Sequence, residues 1–237
     1  LEQNHIDYRI ILCLKENNDA IFSIIKSLVK LCRKYKIAIT SGETAILNTI
    51  KGLEIGITMV GKVKRNEIIE PNIQVGDRLI GLASSGIHSN GITLARKILD
   101  GNEKEIVKPT EIYVVAVNEV LKNHRKDVHG MVHVTGGAFN KLKDVMNKEV
   151  NIKIERNHNL KPQEIFRILK RGNLSDEEMY KTFNNGIGFI IVVDEKVAND
   201  ILNILRKKHN SDIIGHVEKG NGLIKIESEF SNRTILL

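Results

Sequence analysis

Arg78-Leu79-Ile80-Gly81-Leu82 is a short apolar run, Ala83-Ser84-Ser85-Gly86-Ile87-His88-Ser89-Asn90-Gly91 is small, polar or glycine at almost every place, and Ile92 to Leu99 is apolar-periodic. The three read as strand, loop and helix, the unit from which α/β proteins are assembled. Residues 83–91 make a poor core and a good ligand loop. Their serines and asparagine supply donors and acceptors, and their glycines let backbone amides come close to a bound group. A helix beginning at Ile92 would aim its positive end at the same place, which suits a phosphate or carboxylate. His88 adds a group able to change charge near neutral pH. An ordinary polar strand-to-helix connection is the competing reading of this loop taken alone.

The same alternation continues downstream. Strands are expected near 78–82, 131–135, 150–154, 187–193, 213–217 and 223–227, and helices near 92–99, 110–122, 138–147, 162–171, 175–182 and 196–208. Ser175-Asp176-Glu177-Glu178 has the form of a capping box and marks a helix start. Upstream, Ile21, Ile24, Ile25, Leu28, Val29 and Cys32 give residues 19–34 one buried helical face. Residues 37–39 read as a short strand running into Ser41-Gly42-Glu43-Thr44-Ala45, and Ile55, Ile57 and Met59 alternate as in a half-buried strand. Pro71 to Gly76 interrupts the pattern and divides the chain into residues 1–74 and 75–237. The class is α/β (α+β), with strand order unread.

The chain has 237 residues, 41% of them hydrophobic and 27% charged, the balance of a globular protein with a substantial core. No apolar run approaches bilayer length and no signal-peptide pattern opens the chain, so a cytoplasmic protein with no membrane role is expected. The net charge of +7 is spread over scattered lysines and arginines, and only 4% of residues are aromatic. Nucleic-acid binding usually brings a dense basic face or stacking rings, so no nucleic-acid partner is expected. Cys13 and Cys32 fit no metal or redox spacing and read as buried thiols in a reducing compartment. Gly56 to Val63 nearly spells a P-loop, but Val63 stands where a metal-binding Ser or Thr is required and the stretch alternates like a strand. His129 and His133 are four apart with no third ligand spaced nearby, which argues against zinc.

Three further stretches carry chemistry. Glu43, beside glycine and threonine at an expected strand end, can bind a metal or orient a polar group, or be a surface glutamate in a turn. His133-Val134-Thr135-Gly136-Gly137-Ala138 lies between a strand and a helix, where its glycines can approach a phosphate or simply make a tight turn. In Met179 to Gly188 the aromatics read as packing residues. Asn184 with Gly186 and Gly188 either presents amides to a ligand or closes the helix.

Taken jointly, these stretches resemble the aminoimidazole ribonucleotide synthetases, or phosphoribosylformylglycinamidine cyclo-ligases. The resemblance rests on Ser41 to Ala45, Gly76 to Leu82, Ser84 to Gly91, Pro109-Thr110-Glu111-Ile112-Tyr113, His133 to Gly137 and Met179 to Gly188, in family order over most of the chain. It implies a two-domain AIR-synthetase-like fold with an incomplete N-terminal ATP-binding domain, followed by a C-terminal domain. It further implies a homodimer, ATP and Mg2+, and ATP-driven ring closure of formylglycinamidine ribonucleotide in purine biosynthesis. ATP would activate the formyl amide oxygen, a nitrogen would attack that carbon, and phosphate would leave. Such chemistry needs positioned phosphates and donors more than a protein nucleophile.

By this resemblance Glu43 orients metal or substrate and serves catalysis with His88. Ser84, Ser85, Ser89, Asn90 and Gly91 bind substrate with His88. Thr135, Gly136 and Gly137 hold a phosphate, and Asn184 lines the cleft between domains. Three departures stand out. Ser41 replaces a glycine, which requires a negative φ or a relaxed loop. Ala138 to Lys143 replaces a stretch that often carries an arginine, leaving Lys141 or Lys143 for a phosphate. An upstream Asp-Gly-x-Gly-Thr-Lys segment that serves ATP and magnesium is not in the sequence, so ATP turnover is expected to be lost if the molecule lacks it. The alternatives are another ATP-dependent enzyme of the same superfamily and a truncated, non-catalytic ribonucleotide-binding protein.

Overall fold

The computed structural model describes residues 6–14, 20–99 and 103–237. The chain divides into two compact units, one ending at Ile68 and one running from Ile69 to Leu237.

The first unit contains β1 (Ile6–Leu14), α1 (Ala20–Tyr35), β2 (Ala38–Ile46) and β3 (Leu53–Gly61). The three strands form one sheet in the order β2-β1-β3, with β2 parallel and β3 antiparallel to β1. On α1 the expected stripe is only partly covered. Ile21 and Cys32 are buried, Ile24, Leu28 and Val29 are half-buried, and Ile25 is exposed. The side chain of Cys13 lies outside the described ones. Two expectations are corrected. Ser41 to Ala45 is not a strand-end loop but part of β2, and Ser41 has the negative φ of a strand residue, so its substitution for glycine carries no backbone strain. The strand around Ile55, Ile57 and Met59 is exposed along its whole length, so among the described residues its apolar side chains are left uncovered. The P-loop-like stretch is strand up to Gly61.

The second unit is built on a seven-stranded sheet in the order β10-β9-β6-β8-β4-β7-β5. Its strands are β4 (Arg78–Ala83), β5 (Val128–His133), β6 (Val150–Ile154), β7 (Ile187–Val193), β8 (Ser211–Lys219), β9 (Ile224–Glu227) and β10 (Thr234–Leu236). The β6–β9 pair is parallel and the other pairings are antiparallel. Its helices are α2 (Ile92–Ile98), α3 (Val114–His124), α4 (Glu164–Arg171), α5 (Asp176–Thr182) and α6 (Ala198–Arg206). Successive residues of β4 and β7 serve opposite faces. Leu79, Ile190 and Val192 pack with Phe139, Leu142 and Tyr180, while Ile80, Leu82, Ile191 and Val193 pack with α3 and α6. Both faces being covered, β7 reads as a continuous apolar run. Ile73, just after the start of this unit, is buried in its core.

The capping box forms as expected. Ser175 Oγ accepts from the Glu178 amide at 3.2 Å, and the Ser175 amide donates to the Glu178 carboxylate at 2.8 Å. The segment expected as a helix over 138–147 is instead a 3₁₀ run, Ala138–Asp144. Gly137 (φ +85°) and Ala138 (φ +47°) are both left-handed, so the chain enters the segment through a tight turn, and the Ala138 amide donates back to Thr135 O at 2.6 Å.

Candidate functional site

Antiparallel pairing decides which loops meet. β4 runs against both β7 and β8, and β5 runs against β7. The C-terminal ends of β4 and β5 therefore lie beside the N-terminal ends of β7 and β8, with Ala83 opposite Ile187, Leu82 opposite Ser211 and His133 opposite Phe189. Past that edge the loops are stitched by backbone hydrogen bonds. The Ser84 amide donates to Gly186 O (2.9 Å), Ala83 to Asn210 O (2.8 Å) and Val134 to Gly188 O (3.0 Å). Loops 84–91, 133–137 and 184–188, far apart in sequence, thus form one end of the sheet.

Most of the polar side chains expected to touch substrate are spent on holding these loops together. Asn184, expected to line a cleft, is fully buried. Its Oδ1 accepts from Ser84 Oγ (2.8 Å) and the Gly186 amide (2.9 Å), while its Nδ2 donates to Gly86 O (2.9 Å). Gln163 Nε2 donates to Ser84 O at 2.6 Å, and Ser85 Oγ donates to Pro109 O. Asn90 Nδ2 donates to Thr135 O and to Thr182 O (3.2 Å), tying the first loop to the second and to the end of α5. Gly91 is left-handed (φ +69°), and a Cβ there would overlap the Phe183 ring, so glycine is required twice over. α2, which follows it, is two turns long and has no side-chain N-cap.

His88 sits at the centre of the loops, 3% exposed, in a left-handed backbone conformation (φ +57°) that is uncommon outside glycine. Its Nε2 receives the amides of Ser85 (3.2 Å) and Glu111 (3.4 Å). Its Nδ1 is buried without a partner. Burial, with a smaller contribution from His133, pushes the imidazole pKa down to about 4, so the ring is neutral at physiological pH. Around it stand groups from four elements. Tyr113, at the head of α3, lies 6.4 Å from His88, 6.0 Å from His133, 5.5 Å from Phe189 and 5.1 Å from His209 between ring centroids. Tyr113 Oη donates to Ala83 O at 2.8 Å, and burial together with the Glu111 charge raises its pKa. The Glu111 carboxylate faces His209 Nδ1 at 4.0 Å. Burial lowers the pKa values of His133 and His209 as well, the latter partly offset by Glu111. His209 carries no local sequence signal, since a histidine in a helix-to-strand turn becomes recognisable only once β8 is known to flank β4.

Thr135, Gly136 and Gly137 form the turn after β5, with Thr135 half-buried and both glycines exposed. Ser89 is exposed on the first loop. Lys141 pairs with Asp144 at 3.0 Å. His129, four residues before His133, pairs with the buried Asp77 at 2.8 Å. Glu43 belongs to the first unit, where β2 and α1 border a groove of about 280 Å³ lined by Ile25, Leu28 and Val29 opposite Ser41 to Thr44. Among the described residues no group of three or more His, Cys, Asp or Glu is placed to hold a metal ion. Glu43 alone is nonetheless compatible with magnesium, which is usually held by one or two carboxylates together with waters and nucleotide phosphates.

Residues 74–226 match the family described as AIR synthase related protein, C-terminal domain. A phosphoribosylformylglycinamidine cyclo-ligase of Methanococcus vannielii is 39% identical, with 98% of this chain and 69% of that protein aligned. The enzyme of the same name from Methanocaldococcus jannaschii is also 39% identical, over 90% of this chain and 67% of its own length. Among solved structures, E. coli HypE superposes with a TM-score of 0.72 at 18% identity, covering 99% of this chain and 73% of that one. T. maritima PurL complexed with ATP superposes at 0.62 and 12% identity, covering 99% and 37%. At those identities the structures attest the fold alone.

Proposed function

Because this chain belongs to the phosphoribosylformylglycinamidine cyclo-ligase family of AIR synthase related proteins, we propose that the loop cluster around His88 is where its substrate is held. The activity is the ATP-dependent cyclisation of formylglycinamidine ribonucleotide to aminoimidazole ribonucleotide, a step of purine biosynthesis. One observation carries the placement of the site. Three loops that the sequence marks as ligand-rich end at the same edge of the second unit's sheet, around a histidine whose buried Nδ1 has no partner among the described residues.

Within that reading the residues divide by task. His88, Ser89, Gly91, Thr135, Gly136 and Gly137 contact the ribonucleotide or the phosphoryl group in transfer. Ser84, Ser85, Asn90 and Asn184 hold the loops in register, because their polar atoms are already hydrogen-bonded within them. Loops held in this way cost no reorganisation when charge develops on the substrate. We assign Glu43 to magnesium, which when bound would neutralise nucleotide phosphate charge. Residues 1–74 are assigned to the nucleotide-binding domain and 75–237 to the C-terminal domain. A homodimer is part of the proposal, supported by the exposed apolar side chains of Ile55, Ile57, Met59 and Val60 on β3. So is a cytoplasmic location; no helix among the described residues is long and apolar enough to cross a membrane.

The test is a coupled assay with ATP, Mg2+ and formylglycinamidine ribonucleotide, following ADP and aminoimidazole ribonucleotide together. Equal yields of the two products are expected. ATP hydrolysis that proceeds without the ribonucleotide, or ring closure that proceeds without ATP, would overturn the assignment.

A further inference from the structure

We infer that His88 is fixed as the neutral imidazole carrying its proton on Nδ1, and that this Nδ1–H is an uncharged hydrogen-bond donor reserved for an oxygen of the bound ligand. The assignment follows from the backbone. The amides of Ser85 and Glu111 both point at Nε2, and an amide can only donate, so Nε2 must offer its lone pair and cannot carry a proton. A neutral imidazole has one N–H, which leaves it on Nδ1. Protonating the ring would turn Nε2 into a donor facing two donors and break both contacts. The chain supports the arrangement at its own expense, since His88 reaches it only in the left-handed region.

None of the described groups facing the ring bonds to Nδ1. Tyr113 Oη donates to Ala83 O, the Glu111 carboxylate faces His209, and His133 lies 6.3 Å away between ring centroids. Gly188 abuts the ring carbon between the two nitrogens and has no side chain to offer. The other buried polar atoms without a partner, Gln163 Oε1 and Asn185 Oδ1, do not bond to Nδ1 either. A buried donor without an acceptor is costly in a native protein and calls for a ligand or a water to complete it. Nδ1 is buried among the loops that the functional reading assigns to the ligand, so on that reading a phosphoryl or carbonyl oxygen meets it directly or through one bridging water. The ligand contact rests on the functional reading given above; the tautomer does not. On this account His88 neither gives up nor accepts a proton during turnover, but polarises an oxygen without bringing charge.

The tautomer is read in the ligand-free protein by nitrogen–proton correlation of 15N-labelled histidine, so inactivity of the enzyme does not affect it. A protonated-type shift at Nδ1, an unprotonated-type shift at Nε2 and no titration between pH 5 and 8 are expected. A proton on Nε2, or a titration near the ordinary histidine value, overturns the inference. Formylglycinamidine ribonucleotide alone and ATP alone are then added. Movement of the Nδ1–H resonance with one of them identifies the oxygen's source, and no movement with either overturns the ligand contact.

Two variants supply a kinetic reading. Asparagine and aspartate both tolerate the left-handed backbone, but only H88N puts an N–H near the Nδ1 position. H88N is expected to turn over about 10²-fold faster than H88D, the scale of losing one preorganised donor. Equal losses in two variants that melt alike would show that the donor is not what His88 supplies, a faster H88D would show that His88 transfers protons, and in either case the donor role would fall. An Nδ1–H tautomer in a protein that makes no aminoimidazole ribonucleotide would defeat the functional reading and leave the tautomer standing.

Discussion

Replacing Gly188 by alanine is expected to damage this protein out of proportion to the single methyl added. Gly188 lies in β7 with ordinary extended backbone, so alanine brings no conformational penalty of its own. The added Cβ would overlap Tyr113 Oη, stand 2.6 Å from His88 Cε1 and lie 3.1 Å from Tyr113 Cζ. Neither ring is free to retreat. Tyr113 is 5% exposed and tied to Ala83 O at 2.8 Å, and His88 is held by two amides. Forcing a methyl into packed side chains costs about 1–3 kcal/mol, and breaking the Tyr113 hydrogen bond inside the protein adds about 1–3 kcal/mol more. A total near 4 kcal/mol corresponds to a fall in melting temperature of roughly 10 °C for a unit of this size. The assay is a thermal melt paired with urea denaturation of the parent, G188A, Y113F, the double variant and G137A. Gly137 is left-handed with nothing near its Cβ position, so G137A isolates backbone strain at about 1–2 kcal/mol. Y113F removes the atom that suffers the worst overlap, so the double variant should be at least about 1 kcal/mol more stable than the sum of the single effects. A G188A melt within about 2 °C of the parent, or strict additivity with Y113F, would show that the rings are not packed as described.

Other consequences are smaller but as direct. N184A strips the partners from Ser84 Oγ, the Gly186 amide and Gly86 O inside the protein and should cost about 3 kcal/mol by urea denaturation, whereas S84A removes one of these bonds and should cost about 1 kcal/mol. S175A breaks the capping box at the start of α5 and should cost about 1 kcal/mol in the same experiment. Folded His88 has its pKa near 4 against 6.5 in an exposed histidine, so below pH 6.5 the unfolded chain takes up a proton that the folded chain refuses until about pH 4. Stability is therefore greatest above pH 6.5 and falls as the pH drops through that window. His133, His158 and His209, also lowered by burial, act in the same direction. H88N should flatten the slope by up to one proton, and an unchanged slope would show that His88 titrates normally.

The fold was legible wherever a local pattern and the tertiary environment agreed. β4 and β7 are apolar runs and β6 and β9 alternate apolar with polar residues, all between turn residues, and their positions follow from the sequence to within a residue or two. Misreadings mark places where the deciding interaction is remote. β10 has three residues and becomes a strand only through its pairing with β9, with Ile235 opposite Ile226. The 138–147 segment has the apolar spacing of a helix in Ala138, Phe139, Leu142 and Val145, but two consecutive left-handed residues at its entrance wind it as 3₁₀. The α1 stripe and the alternation of β3 forecast burial correctly as a pattern and wrongly in extent, because periodicity reports which face is apolar and not whether anything covers it.

The site shows a different limit. The sequence marks Ser84, Ser85, His88, Asn90 and Asn184 as one class, polar residues among glycines, and the structure sorts them into two. A glycine-rich loop folded back on a sheet edge buries many backbone groups with no strand to pair them, and buried backbone groups must be satisfied. Short amide and hydroxyl side chains are the cheapest way to do so, so most polar residues of such a loop are consumed in shaping it. Asn184 supplies two of these bonds, with a third to Ser84 Oγ, and Asn90 two. Chemistry falls to whatever polar atom is left unpaired. That remainder depends on which loops the strand order brings together, and here Glu111 and Ser85 close one side of the His88 ring while Nδ1 on the other has no partner among the described residues. Composition therefore marks a candidate binding loop, whereas only the accounting of its hydrogen bonds separates the side chains committed to holding the loop from those left to meet a ligand.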